Sequence, residues 1–317
     1  MSRPLRVGTD CSGIEAPIQA LLSAGISFVH EWACEVDPMA AQSLRANYYP
    51  KRFYTDIFTR DHHRLPSIDL YVCGFPCQSF SMLGQRAGLS DRRGIVFFAC
   101  VDTIRACLPK IFILENVPGL LTHDSGRTFQ HILKILNSIP GYTVYHEILN
   151  TMDFGLPQHR RRVFIVGIRG RHRAFRFPEP VPLRLSVLDI LEKKKPTDPK
   201  LYQLTSHKKA LLSELLRRGK IDRLDEPWLV NLNVSSADRA GCRRAVCPCL
   251  LAGEGGNCIY YLTSMRRRLT PREYLRLQGF PDSFRIVVPP RFIYKQAGNS
   301  MSVPVLAALY RGIFQCF

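Results

Sequence analysis

A cysteine, a carboxyl and two guanidiniums stand at the ends of apolar runs in this sequence. Cys77 follows the apolar run in "LYVCGFPCQSF", and Glu115 comes directly after "IFIL". In "QHRRRVFIVG", Gln158, Arg160 and Arg162 are spaced by two and would share one face of a strand. Guanidiniums favour a nearby thiolate, and a carboxyl buried after an apolar run can act as a proton donor. The pattern favours a nucleophilic cysteine assisted by an acid. A core thiol, a metal ligand, a helix N-terminal acid and a basic strand edge remain the alternatives.

A second set of residues could bind a nucleoside. The glycine turn in "TDCSGIEAP" would bring backbone N–H groups close to a polar ligand. Glu35 follows in "CEVD", where an acid suits a ribose diol. Asp56, in "TDIF", could accept a hydrogen bond from an adenine amino group. Together and in this order, the three features favour a nucleoside cofactor over three ordinary loops.

Strand-like and helix-like segments alternate through the first half of the chain. Helices are predicted at "EAPIQALLSAG", which Gly25 would cap, and at "PMAAQSLRANY", which Asp37 and Pro38 would start. Two more are predicted at "GIVFFACVDTIRACL" and "RTFQHILKILNSI". The predicted strands are "LRVGTD", "ISFVHEWACEV", "RFYTDIF", "IDLYVCGF", "KIFILENV", "YTVYHEILN" and "RVFIVGI". This alternation predicts an α/β fold with a mainly parallel sheet, covered on both faces, whose ligand lies at the carboxyl ends of the strands.

The positive charge of the chain is concentrated in its middle. The 317 residues carry a formal net charge of +18, and residues 166–273 hold 22 basic against 11 acidic residues. Residues 1–165 hold 17 and 14. A local excess of this kind favours nucleic acid binding over a merely soluble basic surface. Near Gly170 the alternation of strand-like and helix-like segments also gives way to Arg/His/Lys-rich segments that suggest irregular structure. We therefore predict a catalytic and cofactor-binding domain over 1–170, a small basic domain over 171–271, and a return to the large domain over 272–317.

Membrane, secretion and metal signals are weak. No apolar run reaches the roughly 18 residues of a membrane span, and no signal peptide begins the sequence, so we expect an intracellular protein without membrane contact. The 11 scattered cysteines indicate reduced thiols rather than a disulfide framework. Cys242, Cys247, Cys249 and Cys258 lack the paired C-x2-C spacing of zinc sites, so no metal is predicted.

These segments, in their order, resemble the motifs of the DNA cytosine-5 methyltransferases. The similar segments are "DCSGIEAP", "CEVD", "TDI", "GFPCQSFSMLGQRAGLSDRRGIVFF", "ENV", the spaced Gln/Arg/Arg, "RRLTPREYLRLQGFPDSF" and "QAGNSMSVPVL". The resemblance covers the large domain almost from end to end. It implies a Rossmann-like S-adenosylmethionine-dependent methyltransferase fold, with the basic middle region as a target recognition domain.

The resemblance also implies a reaction and the residues that perform it. A methyl group would pass from S-adenosylmethionine to C5 of a cytosine flipped out of duplex DNA, while Cys77 is bonded to C6. Glu115 would contact N3 and the exocyclic amine, and Arg160 and Arg162 would hold the O2 edge. The loop after Cys77 would close as a lid, with Gly84 and Gly88 as hinges. The implied cofactor residues are Cys11, Gly13, Ile14, Glu35, Val36, Asp56, Ile57, Pro76, Asn299 and Ser300. The implied substrate-binding residues are Pro76, Gln78, Ser81, Asn116 and Gln158.

Three positions depart from the family's usual pattern. Cys11 stands where an aromatic residue is usual, and Glu15 stands where a second glycine is usual. Val36 stands where a larger aromatic residue is common. We expect cofactor binding to survive these changes in weakened form.

Two other functions fit parts of this pattern. A tRNA cytosine-5 methyltransferase would have the same fold, but the Cys-Phe-Thr segment of that branch is absent. A catalytically inactive DNA-binding paralogue would be expected to lose one of the residues named above, and all are present. The expected partners are double-stranded DNA and, in a restriction–modification setting, a cognate restriction endonuclease. The enzyme is expected to be a monomer, in the cytoplasm or nucleoid of a prokaryote or phage host, or in a eukaryotic nucleus.

Overall fold

The chain folds as two compact units. The computed structural model describes residues 3–76, 92–252 and 260–317, of which 92–95 by their backbone alone. The first unit comprises Met1–Leu149, Arg161–Glu179 and Val305–Phe317, and the second comprises Asn150–Arg160 and Pro180–Pro304. The predicted domain bounds at 170 and 271 differ from these units. In the structure, residues 150–160 and 272–304 belong to the second unit, and residues 171–179 belong to the first.

The helices and strands of the described residues have these bounds. The helices are α1 (Ala16–Ser23), α2 (Pro38–Asn47), α3 (Arg92–Cys107), α4 (Gly119–Thr122), α5 (Arg127–Asn137), α6 (Ser206–Arg217), α7 (Pro271–Gln278), α8 (Pro290–Asn299) and α9 (Val303–Phe314). The strands are β1 (Leu5–Asp10), β2 (Phe28–Cys34), β3 (Arg52–Tyr54), β4 (Leu70–Cys73), β5 (Ile111–Asn116), β6 (Tyr142–Asn150), β7 (Gln158–His159), β8 (Arg161–Arg169), β9 (Trp228–Asn231), β10 (Cys242–Arg244), β11 (Cys247–Pro248), β12 (Tyr260–Leu262) and β13 (Arg267–Arg268).

A seven-stranded sheet in the order β3-β2-β1-β4-β5-β8-β6 organises the first unit. Strands β1 to β5 pair in parallel, and β8 runs antiparallel to β5. Phe97 of α3 and Ile132 of α5 pack with Tyr71 of β4 and Phe112 of β5 in one buried cluster. The predicted α/β fold with a mainly parallel sheet is therefore confirmed. Because the strands are parallel, their carboxyl ends lie at one edge of the sheet, where a ligand site is expected.

Local sequence signals set several helix ends as predicted. Asp37 accepts hydrogen bonds from the N–H groups of Met39 and Ala40, and Pro38 is the first residue of α2. Gly25, with a φ of +67°, follows the end of α1. Its N–H donates to the carbonyl of Leu22, as a glycine cap does. The order of the strands is the result of packing between distant segments, whereas these ends are fixed by a few adjacent residues.

The second unit contains a small sheet that the sequence did not reveal. Strands β10, β9, β12 and β13 pair antiparallel in that order, and β11 pairs in parallel with β7. These strands have two to four residues. Alternation of apolar and polar residues cannot be recognised over so short a length. Among the described helices of both units, none is long and apolar enough to cross a membrane.

Candidate functional site

The glycine turn after β1 lies against the end of β2. Gly13 has a φ of +55°, a conformation that glycine adopts at little cost. Its N–H donates to Oε2 of Glu35 at 2.6 Å, and the N–H of Asp37 donates to Oε1 at 2.8 Å. Burial raises the pKa of Glu35, and the two N–H groups oppose that rise by favouring the carboxylate. The turn and the acid predicted to bind a nucleoside are thus joined directly, with the carboxyl held in one orientation.

The remaining predicted cofactor residues of the first unit differ in exposure. Val36 directly follows Glu35 and is 75% exposed, so it offers an apolar surface beside an anchored carboxyl. Oδ1 of Asp56 accepts a hydrogen bond from the N–H of Phe58, which fixes the turn after β3. Ile14 and Ile57 are buried and support the backbone of their turns. Cys11 is half-buried and has a left-handed φ of +48°.

Strand β4 ends just before the predicted nucleophile. Cys73, its last residue, is fully buried, and its Sγ lies 3.3 Å from Sγ of Cys100 in α3. Burial raises the pKa of the Cys73 thiol well above its usual range, which makes it a poor nucleophile. Cys73 is therefore a core thiol. Cys77, Gln78 and Ser81 lie outside the described residues, as do the glycines of the predicted lid, and their roles stay predictions.

The backbone on the way to Cys77 is held by the neighbouring strand. Nδ2 of Asn116, at the end of β5, donates to the carbonyl of Phe75 at 2.9 Å. Its Oδ1 accepts from the N–H of Val117, which fixes the orientation of the amide. Pro76 follows Phe75 and restricts the chain further. Asn116 therefore acts on the segment that leads to Cys77, in agreement with its predicted place at the same edge of the sheet.

Glu115 and Arg162 form an ion pair at that edge. Nε of Arg162 lies 3.1 Å from Oε1 of Glu115, and their side chains are only 14% and 10% exposed. The antiparallel pairing of β5 with β8 brings them together, since Glu115 is opposite Phe164 and Asn116 is opposite Val163. A pair that is shielded from solvent is stronger and more rigid than one on the surface. The predicted acid and one predicted guanidinium are thus neighbours.

Arg160 has a different environment, although it is only two residues from Arg162. It lies in the second unit and is 2% exposed. Its Nη1 donates to the carbonyl of Leu250 at 2.9 Å, and its Nη2 donates to those of Gly298 and Ser300 at 3.1 and 2.7 Å. The guanidinium thus connects three backbone carbonyls. Its contact with cytosine O2 stays a prediction.

Gln158 belongs to the same set of contacts. Its Nε2 donates to the carbonyl of Leu277 at 2.7 Å, and its Oε1 accepts from the N–H of Leu250 at 3.2 Å. Gly298 approaches the neighbouring backbone so closely that a Cβ there would overlap Leu251 and Ala252. We call residues 158–160, 248–252, 277–278 and 296–300 the clamp. The spacing of Gln158, Arg160 and Arg162 predicted a single face, but the structure divides them between the clamp and the Glu115 pair.

Asn299 and Ser300 end the helix α8 within the clamp. The side chain of Asn299 is exposed, whereas Ser300 is buried. The carbonyl of Ser300 accepts a hydrogen bond from Arg160, and the hydroxyl of Ser300 donates a hydrogen bond to the carbonyl of Met301. The clamp therefore fixes the backbone at Asn299, which leaves the amide of that residue exposed at its surface.

The second unit carries exposed arginines. Arg239, Arg243 and Arg266 are exposed, and within the described residues no ion pair with an acid is found for any of them. Arg244 pairs with Glu226, and Arg218 pairs with Asp238. In the described part of the chain no group of three or more histidine, cysteine or acidic residues is arranged to hold a metal. Cys258 is outside that part, and the absence of a metal stays a prediction.

Sequence reasoning missed a buried ion pair beside the glycine turn. Arg60 donates to both carboxylate oxygens of Asp10, the last residue of β1. Tyr71 donates to the same carboxylate at 2.7 Å, and Arg60 also donates to Thr103 of α3 at 2.9 Å. The pair connects residues 50 positions apart, so no local signal in the sequence predicts it. It fixes the end of β1 from which the turn departs.

Comparisons with known proteins find a matching family model, similar relatives and similar structures. The family model described as C-5 cytosine-specific DNA methylase matches residues 11–315. Type II methyltransferase M.NgoBI of Neisseria gonorrhoeae is 40% identical over 283 residues, which are 89% of this chain and 83% of that protein. Type II methyltransferase M.HaeII of Haemophilus aegyptius is 39% identical over 291 residues, with the same two coverages. The crystal structure of the S. pombe Dnmt2 methyltransferase aligns over 99% of both chains with a TM-score of 0.71 and 20% identity, which shows a shared fold.

Proposed function

The chain belongs to the C-5 cytosine-specific DNA methylase family, and on that basis we propose that it methylates C5 of a cytosine flipped out of duplex DNA, with S-adenosylmethionine as methyl donor and Cys77 as nucleophile. The observation that carries the proposal is the shielded pair of Glu115 and Arg162. In the parallel pairing of β4 with β5, Cys73 is opposite Leu114. Glu115 therefore follows at the edge of the sheet where the chain leaves β4 toward Cys77.

The first unit offers groups that suit the cofactor. The carboxyl of Glu35 would accept hydrogen bonds from the ribose hydroxyls, and the exposed face of Val36 suits an adenine ring. Asp56 would bind the adenine amino group. For Asn299 and Ser300, which belong to the second unit, contact with the methionine end rests on the resemblance alone. S-adenosylmethionine supplies the methyl group when bound, and every other group in the reaction comes from the protein or the DNA.

The chain's own residues would perform the chemistry on the base. The thiolate of Cys77 bonds to C6 as the C5–C6 double bond opens, and the electron pair becomes available at C5 for methylation. Glu115 holds N3 and the exocyclic amine. Its carboxyl proton passes to N3 as the thiolate adds, and it returns to the carboxylate when the thiolate leaves. After methyl transfer, a base removes the proton from C5, the C5–C6 double bond forms again, and the thiolate leaves. Atoms and charge balance over this cycle, and Cys77 is regenerated.

The structure supports separate roles for the two arginines of the "QHRRR" segment. Arg162 contacts Glu115, which supports a role in orienting that carboxyl. In this proposal it also holds the O2 edge of the cytosine. Arg160 is a positioning residue in this proposal, since its guanidinium donates to Leu250, Gly298 and Ser300 within the clamp. Base flipping is required because the thiolate must approach C6 from the face of the ring, which the neighbouring bases cover in a stacked duplex.

The second unit would bind the DNA around the target. Its exposed arginines suit phosphate contacts, and its loops would supply the base contacts. The relatives are named type II methyltransferases, which supports a restriction–modification role with a cognate endonuclease as partner. A monomer satisfies this proposal, since all the residues named belong to one chain.

Replacing Arg243 and Arg266 by glutamine should weaken DNA binding without changing its sequence preference. Each phosphate contact that is lost lowers the slope of log K against log salt by about 1. We therefore expect the double variant to lower the slope of log K against log salt by about 2. Fluorescence anisotropy measures this slope on a duplex that the enzyme methylates and on an unrelated duplex. Arg244→Gln is the matched control, because Arg244 is paired with Glu226. An unchanged slope in the double variant would exclude these two residues from the DNA interface.

Trapping tests the proposed function. The protein is incubated with S-adenosylmethionine and duplex DNA whose cytosines are replaced by 5-fluorocytosine. Fluorine at C5 cannot be removed as a proton, so the enzyme should remain bonded to the DNA as an adduct that survives SDS. An adduct with tRNA but with no DNA would assign the activity to the tRNA branch. Absence of an adduct with either would favour the inactive DNA-binding paralogue.

A further inference from the structure

Glu15 differs from the glycine that the resemblance leads one to expect, and the structure shows what its side chain does. The residue is fully buried and has a left-handed φ of +63°, which costs a residue with a side chain about 1 kcal/mol or more. Its carboxyl turns toward β1 and β2, where Oγ1 of Thr9 donates to Oε1 at 2.6 Å. Nε2 of His30 lies 3.4 Å from the same oxygen.

Hydrogen bonds continue from this carboxyl to the cofactor turn. The hydroxyl of Ser12 donates to Oγ1 of Thr9 at 2.9 Å, and the N–H of Cys34 donates to the hydroxyl of Ser12 at 3.1 Å. Ser12 is followed by Gly13, and Cys34 is followed by Glu35. Through this chain of bonds, the Glu15 carboxyl is linked to both partners of the bond between Gly13 and Glu35.

Two polar atoms in this cluster have no partner. Among the described residues, neither Oε2 of Glu15 nor Nδ1 of His30 forms a hydrogen bond. Burying a carboxylate with one oxygen that accepts no hydrogen bond costs much free energy. Burying a neutral carboxyl costs much less. The geometry alone therefore favours an uncharged Glu15.

We propose that Glu15 is a positioning residue that, in its neutral form, holds the Ser12–Gly13 turn in the shape that binds the cofactor. The inference rests on the proposed function, because it concerns the same cofactor turn. Burial raises the pKa of Glu15 to about 8, and burial lowers the pKa of His30 to about 4. Both groups are consequently uncharged near neutral pH, and the cluster contains no buried charge.

The other ionisable groups around Glu15 add to this effect. Asp10 in β1 and Glu35 after β2 are acids, and both disfavour a negative charge on Glu15. Tyr48 after α2 and Tyr310 in α9 have pKa values that burial raises above their usual range, so both stay protonated. Ionised Glu15 would therefore repel Glu35, the residue proposed to bind the ribose.

The two buried groups affect stability in opposite directions. Unfolded glutamate releases its proton near pH 4.5, while Glu15 keeps its proton to about pH 8, so folding becomes less favourable as the pH rises through this interval. Unfolded histidine binds a proton below about 6.5, and His30 stays neutral down to about 4, so its contribution rises with pH between those values. Between pH 6.5 and 8, only Glu15 of these two groups changes the stability.

The test compares wild type with Glu15→Gln, which mimics the neutral acid and cannot ionise. Thermal unfolding of the ligand-free protein and binding of S-adenosylhomocysteine by calorimetry are measured from pH 6 to 9.5. We expect the Tm of Glu15→Gln minus the Tm of the wild type to increase between pH 6.5 and 8. Above pH 8 this difference should stay constant. We also expect the ratio of wild-type to variant Kd to rise above pH 8, by up to about tenfold per pH unit. Titration of the ligand affects both proteins equally and cancels in this ratio.

Glu15→Gly separates the backbone from the side chain. It removes the strain of the left-handed φ, but it leaves Thr9 and His30 without their acceptor. Binding should therefore be weaker than wild type between pH 6 and 8. Ser125→Gly is the matched control, because Ser125 is exposed, has a φ of +53°, and lies in the turn before α5. It should change Tm slightly and leave binding unchanged.

The outcomes are distinct. Equal pH profiles of Tm and Kd in wild type and Glu15→Gln would overturn the proposal. A change in Tm with a constant ratio of Kd would also overturn it, since the acid would then be buried without positioning the turn. If the wild type fails to bind S-adenosylhomocysteine at pH 7, the proposed cofactor is wrong and the positioning role falls with it. Binding at pH 7 with a flat ratio leaves the proposed function intact and rejects only Glu15.

Discussion

Replacing Cys77 by alanine should abolish both methylation and the covalent adduct with 5-fluorocytosine DNA. Loss of an enzyme's nucleophile lowers the rate by roughly 10⁴-fold or more, which here means to background. Binding of DNA and of S-adenosylhomocysteine should persist, because the residues proposed for these contacts are unchanged. Single-turnover transfer of tritiated methyl groups and SDS gels of trapped complexes measure the two losses.

Cys73→Ala is the matched control for this experiment. Cys73 is four residues earlier, is fully buried, and has a thiol whose pKa burial raises well above its usual range. The variant loses packing against Cys100 and should unfold at a lower temperature, but it should still form the adduct below that temperature. If Cys77→Ala forms the adduct and Cys73→Ala does not, the assignment of the nucleophile is wrong.

The sequence predicted the large fold well because its signals are local and repeated. Apolar runs separated by capped helices predicted the parallel sheet. The order of the motifs predicted the family and the enzyme class, DNA cytosine-5 methyltransferase, and the comparisons confirm both. The bond between Gly13 and Glu35 also joins two residues that the sequence had assigned to one site. Gly13 and Glu35 both follow the end of a strand, which is why the sequence could assign them to one site.

Other features could not be predicted, because they depend on contacts between distant segments. The bond network of Arg160 reaches Leu250 and Ser300, roughly 90 and 140 positions away, and nothing in "QHRRR" distinguishes Arg160 from Arg162. The pair of Asp10 and Arg60 is equally hidden. Glu15 was noticed as an exception to a pattern, but its inward direction depends on the φ of one residue and on His30 of the next strand.

Lysine substitutions should separate the roles of Arg160 and Arg162. Lysine keeps the charge but has no planar fork, so at Arg160 it cannot serve the carbonyls of Leu250, Gly298 and Ser300 together. A buried carbonyl left without a donor costs about 1–3 kcal/mol. Arg160→Lys should therefore lower Tm by several degrees, given about 2–4 °C per kcal/mol in a domain of 150–250 residues. Its kcat at 20 °C, where the protein remains folded, should stay within about threefold of wild type.

Arg162→Lys should show the reverse pattern. The ammonium can still neutralise Glu115, so Tm should change by only about 2 °C. The fork proposed to orient Glu115 and to hold cytosine O2 is lost. We therefore expect kcat to fall by about 10²-fold, the usual effect of misplacing a group that stabilises the transition state. Single-turnover rates at 20 °C and thermal unfolding of both variants provide the comparison. A large fall in kcat for Arg160→Lys with an unchanged Tm would mean that Arg160 reaches the flipped base, and the two guanidiniums would then act together on cytosine O2 as their spacing first indicated.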